Sequence, residues 1–238
     1  MLIYGIHACK SAIDMGRRIT RIFVQKRKPL PKWVPQNVAN KVRYIETHEF
    51  GNMLPKHAVH QGIAVEVEDT ALHDITELEH TPERCVVAIL DGVTDPHNFG
   101  AIIRTAAAFG LRGVIVSEKS SCKITGTVAK AASGGLDCID AFSATNLSRA
   151  IEQLKKYGFW VVSLCERGEK FLHEVDLQGR VCLILGSEGD GIRRLQKEHS
   201  DFVAKLPTNQ NFPTLNVSTS AAVAFYEAAK QNGFDLRK

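Results

Sequence analysis

VVAILDGVTDPHNFGAIIRTAAAFG, residues 86–110, is the stretch of the chain around which the fold is organised. Its five leading apolar residues predict a buried strand over Val86–Leu90, and a polar loop follows over Asp91–His97. A helix is predicted to begin near Asn98 or Phe99 and to end at Gly110, where a glycine commonly closes a helix. Apolar and small residues recur there at helical spacing, namely Ala101, Ile102, Thr105, Ala106 and Phe109.

The junction between this strand and this helix is a candidate ligand site. Free backbone N–H groups and the positive end of the helix dipole point into such a loop, which is where α/β proteins bind ligands. Asn98 can cap the helix, and Arg104, about two turns further on, can reach back over its start. A capping asparagine and a solvated arginine are the competing interpretation, and this stretch alone does not decide between the two.

The composition is typical of a globular protein with a sizeable core, since 44% of the 238 residues are hydrophobic and 24% are charged. No apolar run approaches the roughly 18 residues of a membrane span, and the first residues lack the layout of a signal peptide. Six cysteines are scattered without a CxxC pair, so reduced thiols, no zinc site and a cytoplasmic location are expected. They are Cys9, Cys85, Cys122, Cys138, Cys165 and Cys182.

Positive charge is concentrated in the first sixty residues. Eleven Lys and Arg face three acidic residues there, a net charge of +8, whereas the remainder of the chain carries −4. A basic module joined to a mildly acidic domain indicates a polyanionic partner such as RNA, with a solvated basic surface as the alternative. Trp33 either stacks on a base or packs its loop against the core. The residues predicted to contact RNA are Arg17, Arg18, Lys26, Arg27, Lys28 and Lys32.

The hydrophobic pattern changes along the chain and indicates two domains. Short strands and helices over residues 1–68 predict a small α+β module, and the polar, acidic stretch 69–83 indicates a linker. Over residues 84–238, near-continuous apolar strands such as VVAIL and VCLIL alternate with helices, which predicts a parallel sheet covered on both faces. The expected fold class is therefore α/β.

Two further loops lie, like the first, between a predicted strand and a predicted helix. LGSEGDGIRR (185–194) has three glycines that allow close backbone approach, and it offers Glu188 as a ligand anchor or a partner for Arg104. Its spacing matches neither GxGxxG nor a Walker motif, so neither a dinucleotide nor ATP is indicated. In LPTNQNFPTLNVSTS (206–220), Thr214 and Asn216 precede the last helix. Three such loops from one sheet would converge on one crevice.

LDGVTDPHNFGAIIRTA, LILGSEGDGIRRL and LPTNQNFPTLNVSTSAA together resemble, in order and spacing, the three motifs of the SpoU/TrmH family of S-adenosylmethionine-dependent RNA ribose 2′-O-methyltransferases. This resemblance covers the chain from Cys85 to its C-terminus. The stretch from IYGIHACKSAI to HQGIAVEVE is similar to the L30e-like substrate-binding module of members that modify large-subunit rRNA. The function implied is methyl transfer to a ribose 2′-hydroxyl, with a guanosine of 23S rRNA as the expected target.

The resemblance also implies a fold and a set of site residues. The C-terminal domain would be an α/β knot, a deep trefoil, and the chain would be a homodimer with active sites at the subunit interface. S-adenosylmethionine would lie in the knot against Gly186, Leu206 and Leu215. Arg104 matches the arginine to which the family assigns catalysis. The residues expected to fix its position are Asn98, Glu188, Thr214 and Asn216.

The chemistry requires alignment more than a strong nucleophile. A sulfonium is an activated leaving group, so holding the ribose hydroxyl in line with the methyl group supplies much of the catalysis. A group that stabilises the developing alkoxide contributes further. Because an arginine with a pKa above 12 is a poor base, Arg104 is expected to hold the target phosphate and to stabilise the alkoxide. His97 is the alternative candidate for a base.

The third motif departs from the family pattern. Gln210 replaces a glycine, and Asn211 and Pro213 also differ, whereas Thr214 keeps the hydroxyl of the usual serine. Weakened cofactor binding would leave a non-catalytic RNA-binding or ribosome-assembly protein. The sequence is also compatible with a tRNA 2′-O-methyltransferase and with a doubly wound enzyme for small molecules. RNA binding that weakens with salt would argue against the small-molecule enzyme.

Overall fold

The N-terminal part of the chain forms a small mixed sheet with helices, as predicted. A computed structural model of the chain describes residues 1–118, 121–187, 189, 191–209, 211–212 and 214–236. The first elements are β1 (Leu2–Tyr4), α1 (Ile6–Asp14), β2 (Ile19–Gln25), α2 (Gln36–Ala39), β3 (Val42–Ile45), α3 (Thr47–Met53) and β4 (Ile63–Val67). The strand order is β1-β4-β2-β3, in which only β2 and β3 pair in parallel.

A larger, wholly parallel sheet follows and confirms the predicted α/β class. Its strands are β5 (His73–Asp74), β6 (Cys85–Asp91), β7 (Gly113–Ser117), β8 (Asp140–Ala144), β9 (Trp160–Leu164), β10 (Lys170–Phe171), β11 (Arg180–Gly186) and β12 (Phe202–Lys205). They lie in the order β10-β12-β9-β11-β6-β7-β8-β5. The strand order reverses beside β6, which has β11 on one side and β7 on the other. Open α/β sheets bind ligands at the carboxyl ends of strands beside such a reversal.

Helices cover both faces of this sheet, because both faces of its central strands are apolar. One face carries α4 (Pro96–Ala108), α5 (Gly126–Ala132) and α8 (Val217–Gln231), and the other carries α6 (Leu147–Lys156) and α7 (Arg194–His199). Short 3-10 helices span Ile75–His80, Gly135–Asp137 and Leu172–Glu174. No helix in the described part of the chain is long and apolar enough to cross a membrane. Strand β8 escaped sequence prediction because its small residues, DAFSA, show no strong strand pattern.

The C-terminal segment crosses the carboxyl end of the sheet before it forms the last helix. Strand β12 lies next to β9, whereas α8 packs mainly on α4, the helix that follows β6. The chain must therefore cross the carboxyl ends of the strands that lie between β12 and α8. This crossing brings the third motif loop to the loop that follows β11.

The two sheets share one continuous hydrophobic core. Buried side chains of α1 belong to the same cluster as those of α4, α5 and α8. At the junction, the Tyr4 and Thr127 hydroxyls are 3.1 Å apart, and Lys130 Nζ donates to the Val59 carbonyl at 2.5 Å. The predicted linker, 69–83, contributes strand β5 to the larger sheet and forms a 3-10 helix whose buried residues pack in the core beside it. The N-terminal module is thus packed onto α5.

Candidate functional site

The first motif loop ends at a helix that begins earlier than predicted. Helix α4 starts at Pro96, and the Asp95 carboxylate caps it by accepting hydrogen bonds from the backbone N–H groups of His97 and Asn98 at 2.8 and 2.9 Å. The prediction that Asn98 caps the helix is therefore wrong, since Asn98 lies inside the first turn. Proline at the first helical position and aspartate just before it is a favoured start, and this signal was present in the sequence.

The second motif loop is a narrow turn at the end of β11. Ser187 and Gly191 exchange two backbone hydrogen bonds of 3.1 Å, so the loop doubles back immediately after the strand. A Cβ atom on Gly186 would lie 2.2 Å from the Gly191 carbonyl carbon and 2.3 Å from the Ile192 nitrogen. Only glycine fits there, because the turn passes directly over it. Glu188 falls outside the described residues.

A buried carboxylate joins the first two loops. Asp91, the last residue of β6, is 1% exposed. Its Oδ2 accepts a hydrogen bond of 3.1 Å from the Arg193 backbone N–H, and its Oδ1 is 3.3 Å from Arg193 Nε. A buried carboxylate requires such partners. The start of the first loop and the end of the second are thereby held together.

The third motif loop contains a hydrogen-bonded turn and a helix cap. The Asn209 carbonyl accepts from the Phe212 N–H, and its side chain accepts from the Asn211 N–H, both at 2.9 Å. The Asn216 side chain caps α8 by accepting from the Ser218 backbone N–H at 2.8 Å. The altered positions Gln210 and Pro213 fall outside the described residues.

The second and third motif loops border a cavity of about 890 Å³ at the carboxyl ends of β9, β11 and β12, and the first motif loop does not line it. It brings together five of the predicted site residues, namely Gly186, Leu206, Thr214, Leu215 and Asn216. Sequence analysis missed the remainder of the lining, which includes Cys165, Glu166, Arg167, Phe171, Ile192, Lys197 and Lys205. The first three follow the apolar strand β9 directly, which is the signal that identified the other loops.

The three candidate residues of α4, His97, Asn98 and Arg104, do not line this cavity. Arg104 is exposed on α4, and within the described part of the chain no carboxylate lies within ion-pair distance of it. His97, also exposed, is seven residues earlier and therefore on the same helix face. Asn98 is partly buried in the first turn. Within one chain, Arg104 therefore lies outside the cavity that is lined by Gly186, Leu206, Thr214, Leu215 and Asn216.

The six residues predicted to contact RNA differ in their surroundings. Arg17 forms a largely buried ion pair with Asp137, so its charge faces the domain of the larger sheet and is mostly removed from solvent. Arg18 pairs with Glu68 at 2.8 Å and Lys26 with Glu46 at 2.9 Å, all of them exposed. The remaining three are exposed and lie in no ion pair with a described residue: Arg27, Lys28 and Lys32. Trp33 is half-buried and packs its loop against the core.

None of the six cysteines, all of which lie in the described part of the chain, forms a disulfide, and three of them are buried. Burial raises the pKa of the Cys9 thiol to about 12 and raises that of Cys182 as well. Such thiols stay protonated and are poor nucleophiles. Among the described residues, no group of three or more histidine, cysteine or acidic side chains is arranged to hold a metal ion.

Comparison with known proteins assigns the chain to a family. The sequence model of the SpoU rRNA Methylase family matches residues 85–226, more than half of the chain. The chain belongs to the SpoU rRNA methylase family. The model for RNA 2′-O ribose methyltransferase substrate binding matches residues 2–71 of this SpoU methylase. The resemblance inferred from the three motifs is confirmed.

Relatives match this SpoU methylase over almost its whole length. The chain is 36% identical to the 23S rRNA (guanosine-2′-O-)-methyltransferase RlmB of Coxiella burnetii, over 96% of this chain and 95% of that protein. It is 35% identical to an uncharacterized tRNA/rRNA methyltransferase of Synechocystis sp., over 98% of this chain but only 63% of that longer protein.

Solved structures share the fold. The SpoU methyltransferase AviRb from Streptomyces viridochromogenes, in complex with AdoMet, superposes with a TM-score of 0.85 at 19% identity, covering 97% of this chain and 89% of that one. AdoMet-bound rRNA methyltransferase from Sinorhizobium meliloti gives 0.78 at 21% identity, covering 96% and 86%. These similarities confirm the predicted α/β fold of a SpoU methyltransferase with an N-terminal domain.

Proposed function

We propose that this SpoU methylase transfers a methyl group from S-adenosylmethionine to a ribose 2′-hydroxyl of RNA, with a guanosine of 23S rRNA as its target. The match to the Coxiella burnetii enzyme carries the proposal, because it spans 96% of this chain and 95% of that protein. It therefore includes both the motif loops and the basic N-terminal module. A tRNA target and a non-catalytic RNA-binding role are the outcomes that a methyl-transfer assay must exclude.

The cavity fits the cofactor in size and chemistry. Its volume of about 890 Å³ falls in the range of roughly 300–1,000 Å³ typical of small-molecule sites. Leu206 and Leu215 offer apolar surface to an adenine ring, and the Gly186 backbone offers polar groups beside them. Bound S-adenosylmethionine supplies a methyl group activated by its sulfonium. We assign Gly186, Leu206 and Leu215 to holding it.

The side chains at the proposed site orient the ribose. The nucleophile is the ribose 2′-hydroxyl itself. Thr214 and Asn216 present a hydroxyl and an amide at the cavity edge. Arg104 has a permanently charged guanidinium, so it suits the target phosphate and the developing alkoxide better than it suits a base. Asn98 and Glu188 complete the proposed set, with Glu188 assigned from the sequence motif alone.

A homodimer accounts for the separation between Arg104 and the cavity. Helices α4 and α8 pack together, and the ring of Phe109, just after α4, lies 5.9 Å from that of Tyr226 between centroids. Outside that contact, Val223, Tyr226 and Phe234 remain 43%, 47% and 60% exposed. An apolar patch of this kind commonly marks a protein interface. We propose that a second copy covers it and that Arg104 of one subunit acts at the cavity of the other.

The N-terminal module, residues 1–68, is proposed as the RNA-binding domain and residues 84–238 as the methyltransferase domain. The exposed cations Arg27, Lys28 and Lys32 support this division, because cations without a carboxylate partner among the described residues are available to attract phosphate. A cytoplasmic location is the prediction that follows from an rRNA substrate.

Methyl-transfer assays test the proposed activity. The full chain is incubated with methyl-labelled S-adenosylmethionine and either unmethylated 23S rRNA or a tRNA pool, and the methylated ribose is mapped by reverse transcription. We expect label at one guanosine of 23S rRNA and measurable cofactor binding by calorimetry. Label confined to tRNA would contradict the rRNA assignment. RNA binding without any heat of cofactor binding would establish the non-catalytic role.

Mixing inactive variants tests the shared site. Arg104→Ala and Asn216→Ala are each expected to lower turnover at least about 100-fold. Their mixed dimer contains one site with both residues intact only if Arg104 acts across the interface. Activity in the mixture supports the shared site. A monomer in analytical ultracentrifugation, or an inactive mixture of proteins shown to exchange subunits, contradicts it.

A further inference from the structure

One ion pair joins the N-terminal module to the larger sheet's domain. Arg17, just after α1, donates from Nε to an Asp137 carboxylate oxygen that lies 120 positions along the chain. The two side chains are only 14% and 6% exposed. Every other ion pair between described residues has at least one partner more than a third exposed. This pair is therefore unusual in that neither of its side chains is more than 14% exposed.

The segment that carries Asp137 also touches the helix of the proposed catalytic arginine. A Cβ atom on Gly135 would lie 2.9 Å from the Arg104 Cα atom, so the 3-10 helix Gly135–Asp137 rests on the α4 backbone. On its other side, a Cβ on Gly134, whose φ is +95°, would lie 2.1 Å from Ser11 Oγ in α1. The segment is thus held between α1 and the turn of α4 that bears Arg104.

We propose that Arg17 and Asp137 are positioning residues that clamp the RNA-binding module in a fixed orientation relative to Arg104. The inference rests on the proposed function. A buried ion pair adds little net stability but demands one geometry, because any other arrangement leaves a charge desolvated and unpaired. RNA held by the module then meets the catalytic helix in one register. A misplacement of about 1 Å can cost on the order of 100-fold in rate.

Single-turnover methyl transfer measures the effect. Arg17→Ala, Asp137→Ala and their double variant are compared with saturating RNA and cofactor. Each single variant is expected to lose about 10- to 100-fold in rate, while the dissociation constants for RNA and cofactor change less than about threefold. The double variant should be no slower than either single variant, because the two side chains act as one unit. Arg17→Lys should recover part of the rate.

Matched controls separate positioning from folding. Arg21→Ala removes an exposed pair with Glu66 in the same module and should leave the rate unchanged. The double variant Arg17→Met/Asp137→Leu removes both buried charges while keeping apolar volume, so it should fold with a near-normal melting temperature and still lose rate. Variants that melt earlier but transfer methyl at the normal rate while folded would overturn the proposal.

A second measurement does not depend on methyl transfer. In the full chain, Arg17→Ala and Asp137→Ala should accelerate amide hydrogen exchange around residues 133–138 and the end of α1. They should also broaden the distribution of interatomic distances obtained from small-angle scattering. Unchanged exchange and scattering would overturn the clamp even if wild-type protein proved inactive. If the wild-type protein is inactive but exchanges amide hydrogens slowly in these segments, and the variants exchange them faster, only the proposed function is contradicted.

Discussion

At the residue scale, substitution of Arg104 distinguishes a catalytic role from that of an ordinary exposed arginine. It is exposed on α4 and forms no ion pair with a described residue, so its removal should change the free energy of unfolding by no more than about 0.5 kcal/mol. If its guanidinium stabilises the alkoxide, Arg104→Ala should lower turnover on the order of 100- to 1,000-fold, or about 2.7–4 kcal/mol. Single-turnover transfer and calorimetry measure the two effects.

Three variants complete this test. Arg104→Lys should restore turnover only in part, since an ammonium lacks the bidentate fork of a guanidinium. Arg149→Ala, an exposed arginine on α6 across the sheet, should be silent. Near-normal turnover in Arg104→Ala would remove it from the mechanism and favour His97, whose replacement by alanine would then be the decisive variant.

His60 predicts a pH-dependent stability. Its ring stacks on Phe50 at 4.2 Å between centroids, and its Nδ1 accepts a hydrogen bond from the Gly62 N–H at 3.1 Å. Partial burial, and then the charges of Lys28 and Lys130, lower its pKa below the ordinary 6.5. The unfolded chain therefore takes up the proton first as pH falls. The stabilising contribution of the neutral ring is present above about pH 6.5 and is lost on acidification through the folded pKa.

The measurement is thermal unfolding at a series of pH values from about 5 to 8. His60→Asn keeps a hydrogen-bond acceptor without the titrating ring, so its melting temperature should fall less steeply below about pH 6.5 than that of the wild type. His57→Asn is the control, because His57 is exposed and its φ of 63° suits asparagine. An identical pH dependence in wild type and His60→Asn would refute the assignment.

At the scale of elements, the end of β11 is the point where packing and binding meet. Gly186 ends the strand beneath the turn formed by Ser187 and Gly191. Any side chain at position 186 would meet backbone at 2.2–2.5 Å, and backbone cannot rotate away as a flexible side chain can. Displacing the turn would disturb the second motif loop and the cavity wall together.

Gly186→Ala should therefore lower stability by about 1–3 kcal/mol and abolish cofactor binding. Denaturant titration and calorimetry with S-adenosylmethionine measure the two effects. Gly51→Ala in α3 is the matched control, since a Cβ there meets nothing within 4 Å. This substitution should raise the free energy of unfolding by up to about 1 kcal/mol, because alanine favours the helix more than glycine does. Normal cofactor affinity in folded Gly186→Ala would show that the turn is not part of the cofactor site.

At the scale of the whole molecule, exposed positive charges lie on both sides of the large sheet. The exposed cations Arg27 and Lys32 belong to the N-terminal module, which packs on the α5 side of the large sheet. Arg149 and Lys156 are exposed on α6, which covers the opposite face. The two pairs carry equal charge but differ in position, so they distinguish a local RNA surface from a general electrostatic attraction.

Arg27→Gln/Lys32→Gln should weaken RNA binding and reduce its salt dependence, by about 0.7–0.9 in the logarithmic slope for each phosphate that the variant no longer neutralises. Arg149→Gln/Lys156→Gln should leave that slope unchanged. Fluorescence titrations with an rRNA fragment at several salt concentrations give both slopes, and cofactor affinity should be the same in all variants. Equal losses of affinity in both double variants would mean that the module does not form a specific RNA surface.

The sequence by itself determined the strands and helices that carry the motifs, the parallel sheet, the three loops at its carboxyl end and the family. These features depend on local periodicity and on short runs such as LDGVTDPHNFGAIIRTA, which a chain displays without folding. The sequence also contains the signal for the N-cap of α4, since Asp95 and Pro96 form a favoured helix start. The prediction of Asn98 as the cap overlooked this signal.

Only the tertiary structure decided which charges face solvent. Arg17 and Arg18 are adjacent and chemically alike, yet the Arg17 side chain is largely buried against Asp137 and that of Arg18 is exposed beside Glu68. The same holds for the cavity, where residues that follow β9 and β12 meet those that follow β11. Burial and pairing depend on which segments pack together. The partners here are separated by tens of residues or more, so no local pattern contains them.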